Sequence, residues 1–201
     1  MEGIIHIAGV MPRIGATTLA LQMVRFLRET GGYDACYVEM SRQNYIWGAT
    51  QIYSGTLTDR TTGKTTCLGI PMFPGERMEA LREGKAAYDF IIGDFGNLSD
   101  TTFNKRQFIE GDCKILVCGN KPNEVFQTED AINDAMLEDA LTVFNFTDPS
   151  DQDEIWSMMG KRGTTTDFMP YIPDPFHTGK EYAKEDFFQR IMDMVMGIIQ
   201  S

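Results

Sequence analysis

The run Ile4-Ile5-His6-Ile7-Ala8-Gly9-Val10-Met11-Pro12-Arg13-Ile14-Gly15-Ala16-Thr17-Thr18, continued by Leu19-Ala20-Leu21-Gln22-Met23-Val24-Arg25-Phe26-Leu27, decides how the rest of the chain is read. Residues 3–9 are almost continuously apolar and predict a buried strand. From Thr17 onward Leu19, Met23, Phe26 and Leu27 recur at helical spacing, and Gly31-Gly32 supplies the stop. Between them lies a tight loop. A strand, a loop and a helix that opens on glycine and two threonines form the layout of a phosphate-binding loop, in which backbone N–H groups and a helix N-terminus face the anion. Gly15, Thr17 and Thr18 take the places of the last glycine and the hydroxyls. Ala16 stands where a lysine reaches the β- and γ-phosphates, and Val10 replaces the first glycine, with Gly9 one residue early.

Further along, apolar strands alternate with helical patterns. Ala35-Cys36-Tyr37-Val38 predicts a second strand ending at Glu39, and 74–86 predicts a helix. Tyr88-Asp89-Phe90-Ile91-Ile92-Gly93-Asp94 reads as a buried strand that ends in a carboxylate, followed by a helix over 100–110. Lys114–Cys118 is the next strand, then come a helix over 128–140 and a strand over 141–146. A helix over 151–160, a strand over 167–171 and a helix over 181–199 complete the order. Continuous apolar strands separated by helices imply a mostly parallel sheet with helices on both faces. The polar segment 52–73 breaks the rhythm and reads as an antiparallel hairpin insertion in one domain spanning 1–201.

Asp94 is placed to hold magnesium together with Thr17, and Gly96 beyond it permits a phosphate-sensing turn. In this context the loop and strand resemble the ParA/MinD family of P-loop ATPases, whose deviant loop reads K-G-G-x-G-K-T-T. Met11-Pro12-Arg13-Ile14-Gly15-Ala16-Thr17-Thr18 aligns on that motif. Tyr37-Val38-Glu39-Met40-Ser41-Arg42-Gln43 resembles the family's switch I, and Tyr88–Asp94 its Walker B strand. The resemblance implies a three-layer P-loop fold that binds ATP or ADP with magnesium. Pro12, Arg13, Ile14, Gly15, Ala16, Thr17 and Thr18 would meet the phosphates, and Glu39 and Gly96 would lie in the switch regions. Asn145 and the segment 170–175 would meet the base and ribose.

Both family lysines are absent, at Met11 and Ala16, and Glu39 replaces the first switch aspartate. The lysine at the Met11 position reaches across the dimer in that family, so its loss implies weak or absent hydrolysis. The TadZ/CpaE-like proteins of pilus assembly also keep the fold with a degraded loop, although they commonly carry an extra receiver-like domain, for which this chain leaves no room. The expected function is a nucleotide-responsive localisation or assembly factor, with a homodimer formed across the nucleotide face and an unidentified protein partner. Two alternatives stand beside it. One is a slow ATPase in which Arg13 or a partner's residue replaces the lysine, the guanidinium fork being suited to phosphate oxygens. The other is a scaffold that binds no nucleotide.

Composition narrows the classes. With 42% hydrophobic and 23% charged residues the chain is expected to fold as a soluble protein. A net charge of −11 argues against binding nucleic acid through its general surface. No stretch reaches the ~20 apolar residues that span a bilayer, no leader is recognisable, and a cytoplasmic location is expected. Cys36, Cys67, Cys113 and Cys118 lack CxxC spacing and read as reduced core thiols. His6 and His177, far apart, suggest no metal site. Thr62-Gly63-Lys64-Thr65-Thr66 imitates a phosphate loop but has neither a strand before it nor a helix after it, and reads as a hairpin turn. The last helix is apolar at Phe187, Phe188, Ile191, Met192 and Val195, with no lysine or arginine after Arg190. It is expected to pack on the sheet rather than on a membrane surface.

Overall fold

A computed structural model describes residues 3–83, 88–179 and 181–200. Strand β1 (Gly3–Gly9) is buried along its whole length, and its side chains divide between two cores as the strand period of two requires. Ile5 and Ile7 face one side, where they meet helix α1 (Ala16–Glu29) and the final helix α7 (Tyr182–Ile199). Ile4 and Ala8 face the other. The same partition runs through β2 (Ala35–Glu39), β6 (Phe90–Asn97), β7 (Cys113–Cys118) and β8 (Leu141–Phe144). On the second face the partners are α3 (Met78–Glu83), α4 (Lys105–Phe108), α5 (Val125–Ile132) and α6 (Gln152–Met159). Three layers result.

The remaining elements are α2 (Tyr45–Ile52), β3 (Leu57–Thr58), β4 (Thr65–Cys67), β5 (Ile70–Pro74) and β9 (Thr166–Phe168). The sheet runs β3-β4-β5-β2-β6-β1-β7-β8-β9. All pairings from β5 to β9 are parallel, and only β3–β4 and β4–β5 are antiparallel. After β6 has paired beside β1, the chain crosses to β1's other side and adds β7 and β8. That reversal puts the crevice beyond the carboxyl end of β1, where open α/β sheets receive ligands.

Several expected boundaries move. The strand expected over 88–94 continues to Asn97, so Asp94 lies within it rather than at its tip. The helix expected over 100–110 shrinks to Lys105–Phe108, capped by the Asn104 side chain. The one expected over 128–140 starts at Val125, ends at Ile132, and is followed by a single 3-10 turn at Ala135–Leu137. The strands expected to reach 146 and 171 stop at Phe144 and Phe168. Residues 84–86 of the helix expected over 74–86 lie outside the described residues.

In 52–73, β3 and β4 form the expected antiparallel hairpin with residues 59–64 as its turn, while Thr65 and Thr66, expected in that turn, open β4. The last strand of that segment, β5, belongs to the main sheet, parallel to β2. Helix α2 has no clear apolar stripe in the sequence. It forms because the buried Glu39 carboxylate accepts hydrogen bonds from its first amides, Tyr45 N–H and Ile46 N–H. Gly31 and Tyr33 donate back to Phe26 and Leu27 and end α1, with Gly32 at φ 72°. All four cysteines are buried and free. No described helix is long and apolar enough to cross a membrane.

Candidate functional site

The loop after β1 is built around two left-handed residues, Arg13 (φ 64°) and Gly15 (φ 104°). Such a turn points successive amides into one concavity. Arg13 adopts this conformation without being glycine, and its side chain is exposed at the lip of the cavity. Gly15 is obligatory: a Cβ there would lie 2.3 Å from Asn145 Nδ2. That amide donates to Ile14 O at 2.8 Å, and Asn145 Oδ1 accepts from Phe146 N–H. Asn145, the residue expected at the base, thus holds the underside of the loop with its carboxamide. Among the described residues no side chain caps α1, so the amides of its first turn have no side-chain acceptor.

Thr17 and Asp94 meet as expected. Thr17 Oγ1 donates to Asp94 Oδ2 at 2.7 Å, Tyr37 Oη donates to the same oxygen at 2.8 Å, and Gly96 N–H donates to Oδ1 at 3.0 Å. Burial pushes the Asp94 pKa up, while the three donors, Thr17 first, favour the carboxylate. Burial also raises the Tyr37 phenol well above its usual range, helped by the Asp94 charge, so the ring stays a donor. The Asp94 backbone carbonyl accepts from Met40 and Ser41. Gly96, at φ 71°, permits close approach of this segment, since a Cβ would lie 2.9 Å from both Ser41 Cβ and Gln43 Nε2. Glu39 lies beside Asp94 in the β2–β6 register. Its pKa is raised, chiefly by burial, against the pull of the two α2 amides.

Ala16 and Met11, at the lysine positions, both line the cavity above the loop. Ala16 is buried, and Met11 packs against the hydrophobic clusters on both faces of the sheet. The cavity above the loop has a volume of about 390 Å³ and includes Pro12, Arg13, Thr17, Thr18, Gln43 and Asn97 in its wall. Tyr45, Phe146 and the segment Tyr171–Pro173 supply apolar and aromatic surface on the far side. Asn97 is 4% exposed, and its Oδ1 has no hydrogen-bond partner among the described residues. Reading the sequence missed Tyr37 and Asn97 as site residues. Tyr37 looks like one more apolar strand residue, and Asn97 lay beyond the expected strand end.

This arrangement of strand, loop, uncapped helix and hydroxyl–carboxylate pair defines the P-loop class of α/β folds. No family model matches the chain, and no curated protein matches its sequence. Solved structures do match in fold. The MinD cell division protein of Aquifex aeolicus superposes with a TM-score of 0.67 at 14% identity, covering 96% of this chain and 96% of that one, and a chain of the MinC:MinD cell division protein complex of Aquifex aeolicus gives 0.66 at 14%, over 98% and 96%. A plasmid partition protein of Borrelia burgdorferi B31 bound to AMPPNP gives 0.65 at 12% identity, over 96% and 98% of the two chains. The pNOB8 ParA bound to nonspecific DNA gives 0.58 at 11%, over 100% and 99%. The chain therefore has the ParA/MinD-like three-layer P-loop fold.

Proposed function

We propose that this single 1–201 domain is an atypical ParA/MinD/TadZ-like protein, a cytoplasmic, nucleotide-responsive localisation or assembly factor with a degenerate phosphate loop. It binds ATP or ADP with magnesium at residues 12–18 and hydrolyses it slowly or not at all. Nucleotide drives homodimerisation across that face and recruits a protein partner. The observation that carries this reading is the preorganised polar node beneath an uncapped helix: Thr17 Oγ1 on Asp94, with the unpartnered Asn97 Oδ1 in the wall of the same cavity. An acceptor buried without a donor costs about 1–3 kcal/mol, which a bound water or hydrated cation would recover. Thr17 and Asp94 would hold the magnesium, which would neutralise phosphate charge. The loop amides and Arg13 would take the oxygens. The AMPPNP in the Borrelia structure and the MinC in the Aquifex complex support the ligand class and the presence of a protein partner.

A second reading, a slow ATPase, rests on Arg13, which has no ion pair or hydrogen bond among the described residues and stands at the cavity's lip. Calorimetry and thermal shift with ATP, ADP and magnesium test both. Saturable heat that is lost in Asp94→Ala and Thr17→Ala, with no phosphate release, is the expected result. Phosphate release abolished by Arg13→Ala would transfer the assignment to the slow ATPase. Neither heat nor thermal shift at millimolar nucleotide would leave only a nucleotide-free scaffold.

A further inference from the structure

Two cations are buried side by side between α1 and the start of α7. Arg25 on α1 and Lys184 in the first turn of α7 are each 7% exposed, and both line a small pocket of about 20 Å³ with Gln22, Thr178 and Phe188. Two carboxylates also reach its wall, but Glu29 is exposed and Glu185 only half-buried. Glu29 is already committed, its Oε1 accepting from Arg25 Nη1 at 2.6 Å, while Arg25 Nη2 donates to Leu68 O at 3.4 Å. Arg25 Nε is buried and has no hydrogen-bond partner among the described residues. Lys184 Nζ donates to Gln22 Oε1 at 3.4 Å and to Gly179 O, which leaves one of its three protons over. It forms no ion pair among the described residues. Lysine also carries the wrong sign for this place, because the dipole of an 18-residue helix is positive at its N-terminus. Burial is the main cause that lowers the Lys184 pKa, and Arg25 lowers it further, with Glu181, Glu29 and Glu185 opposing.

We infer that this pocket binds a monatomic anion of the chloride class, held by Arg25 Nε and by the third proton of Lys184 Nζ. Charge and size select the occupant. A water would satisfy both donors, yet it would leave two like charges and a positive helix end facing one another in a medium of low dielectric. An anion satisfies the donors and offsets that repulsion. The volume admits one small particle and is too small for a phosphate ester. Arg25 lies eight residues along α1 from Thr17, about 12 Å, so the pocket is separate from the phosphate loop and the inference does not depend on nucleotide there. The two sites are nonetheless joined by one segment. Gln22 Nε2 donates to Pro175 O at 2.7 Å and to His177 O at 3.0 Å, and Lys184 holds Gly179 O. An anion on Lys184 would brace residues 175–179, of which Pro175 walls the cavity above the loop.

Bromide is the probe. Crystals of the unmodified chain grown without halide and soaked in sodium bromide should show an anomalous peak in this pocket, within hydrogen-bond distance of Arg25 Nε and Lys184 Nζ. In solution, chloride or bromide should raise the thermal midpoint saturably above that in gluconate of equal ionic strength, by about 3 °C or more at tenfold the half-saturating concentration. Lys184→Met keeps the apolar stem and removes the charge, and should abolish both the peak and the difference between chloride and gluconate. The soak of the unmodified chain decides the matter even if that variant fails to fold. A pocket without an anomalous peak, or equal midpoints in chloride and gluconate, overturns the inference. A peak or a chloride effect that survives Lys184→Met marks an adventitious ion only and overturns it as well.

Discussion

Gly15 carries two constraints in one residue. Its φ of 104° disfavours any side chain, and the space a Cβ would need belongs to Asn145. Gly15→Ala should therefore lose about 1–2 kcal/mol from the left-handed conformation alone, with more from displacing Asn145, measured by urea denaturation. A cost below a few tenths would mean that the loop relaxes freely. Tyr37→Phe removes one of three donors to a buried carboxylate and should cost about 1–3 kcal/mol, with the acid form of Asp94 favoured further. His6 gives a pH-dependent test. Its Nδ1 bonds Phe108 O at 2.9 Å, its Nε2 is buried without a partner among the described residues, and Phe95 lies 4.6 Å away ring to ring. Burial is the main cause that lowers its pKa from 6.5 to about 4, with nearby Arg82 lowering it further and Asp112 and Glu110 opposing. The unfolded chain thus takes up the proton first. Stability is complete above pH 6.5, falls as pH drops toward 4, and levels off below, a total of about 3 kcal/mol. His6→Phe should flatten that part of a stability–pH profile, and an unchanged slope would assign the acid sensitivity elsewhere.

At the scale of elements, α7 tests the difference between a packed helix and a surface-seeking one. Phe187, Phe188, Ile191 and Val195 are almost wholly buried against α1 and the sheet, each contributing about 1.5–3 kcal/mol by burial. Phe187→Ala should cost about 3–5 kcal/mol, and the intact protein should not sediment with anionic vesicles. Such binding by the folded protein would refute the packed assignment. Elements with continuous or strictly periodic apolar residues, β1, α1, β2, β7 and α7, were legible in the sequence because burial writes that pattern directly. Those held by polar contacts were not. Helix α2 depends on Glu39 reaching its first amides, and α4 on one side-chain cap at Asn104; neither leaves a hydrophobic period. The site divides the same way. Gly15, Thr17 and Asp94 announce themselves by residue type and spacing. Tyr37 matters through one hydroxyl on an otherwise apolar strand, and the loop-binding task of Asn145 depends on packing between residues 131 positions apart.

For the molecule as a whole, charge bears first on nucleic-acid binding. At about 150 mM salt no mobility shift with duplex DNA is expected, because a net charge of −11 offers little counterion release. A salt-sensitive shift would reveal a basic face that composition conceals. Asp94 has a further consequence, for the order of assembly. Its oxygens are satisfied by Tyr37, Thr17 and Gly96, the first two lying 57 and 77 residues away along the chain. A folding intermediate that had docked β6 without both β2 and the β1–α1 turn would bury an ionisable group with donors missing, at a cost of several kcal/mol. The carboxylate thus penalises partial assemblies that hydrophobic contacts alone would tolerate, so the strands beneath the loop consolidate together or not at all.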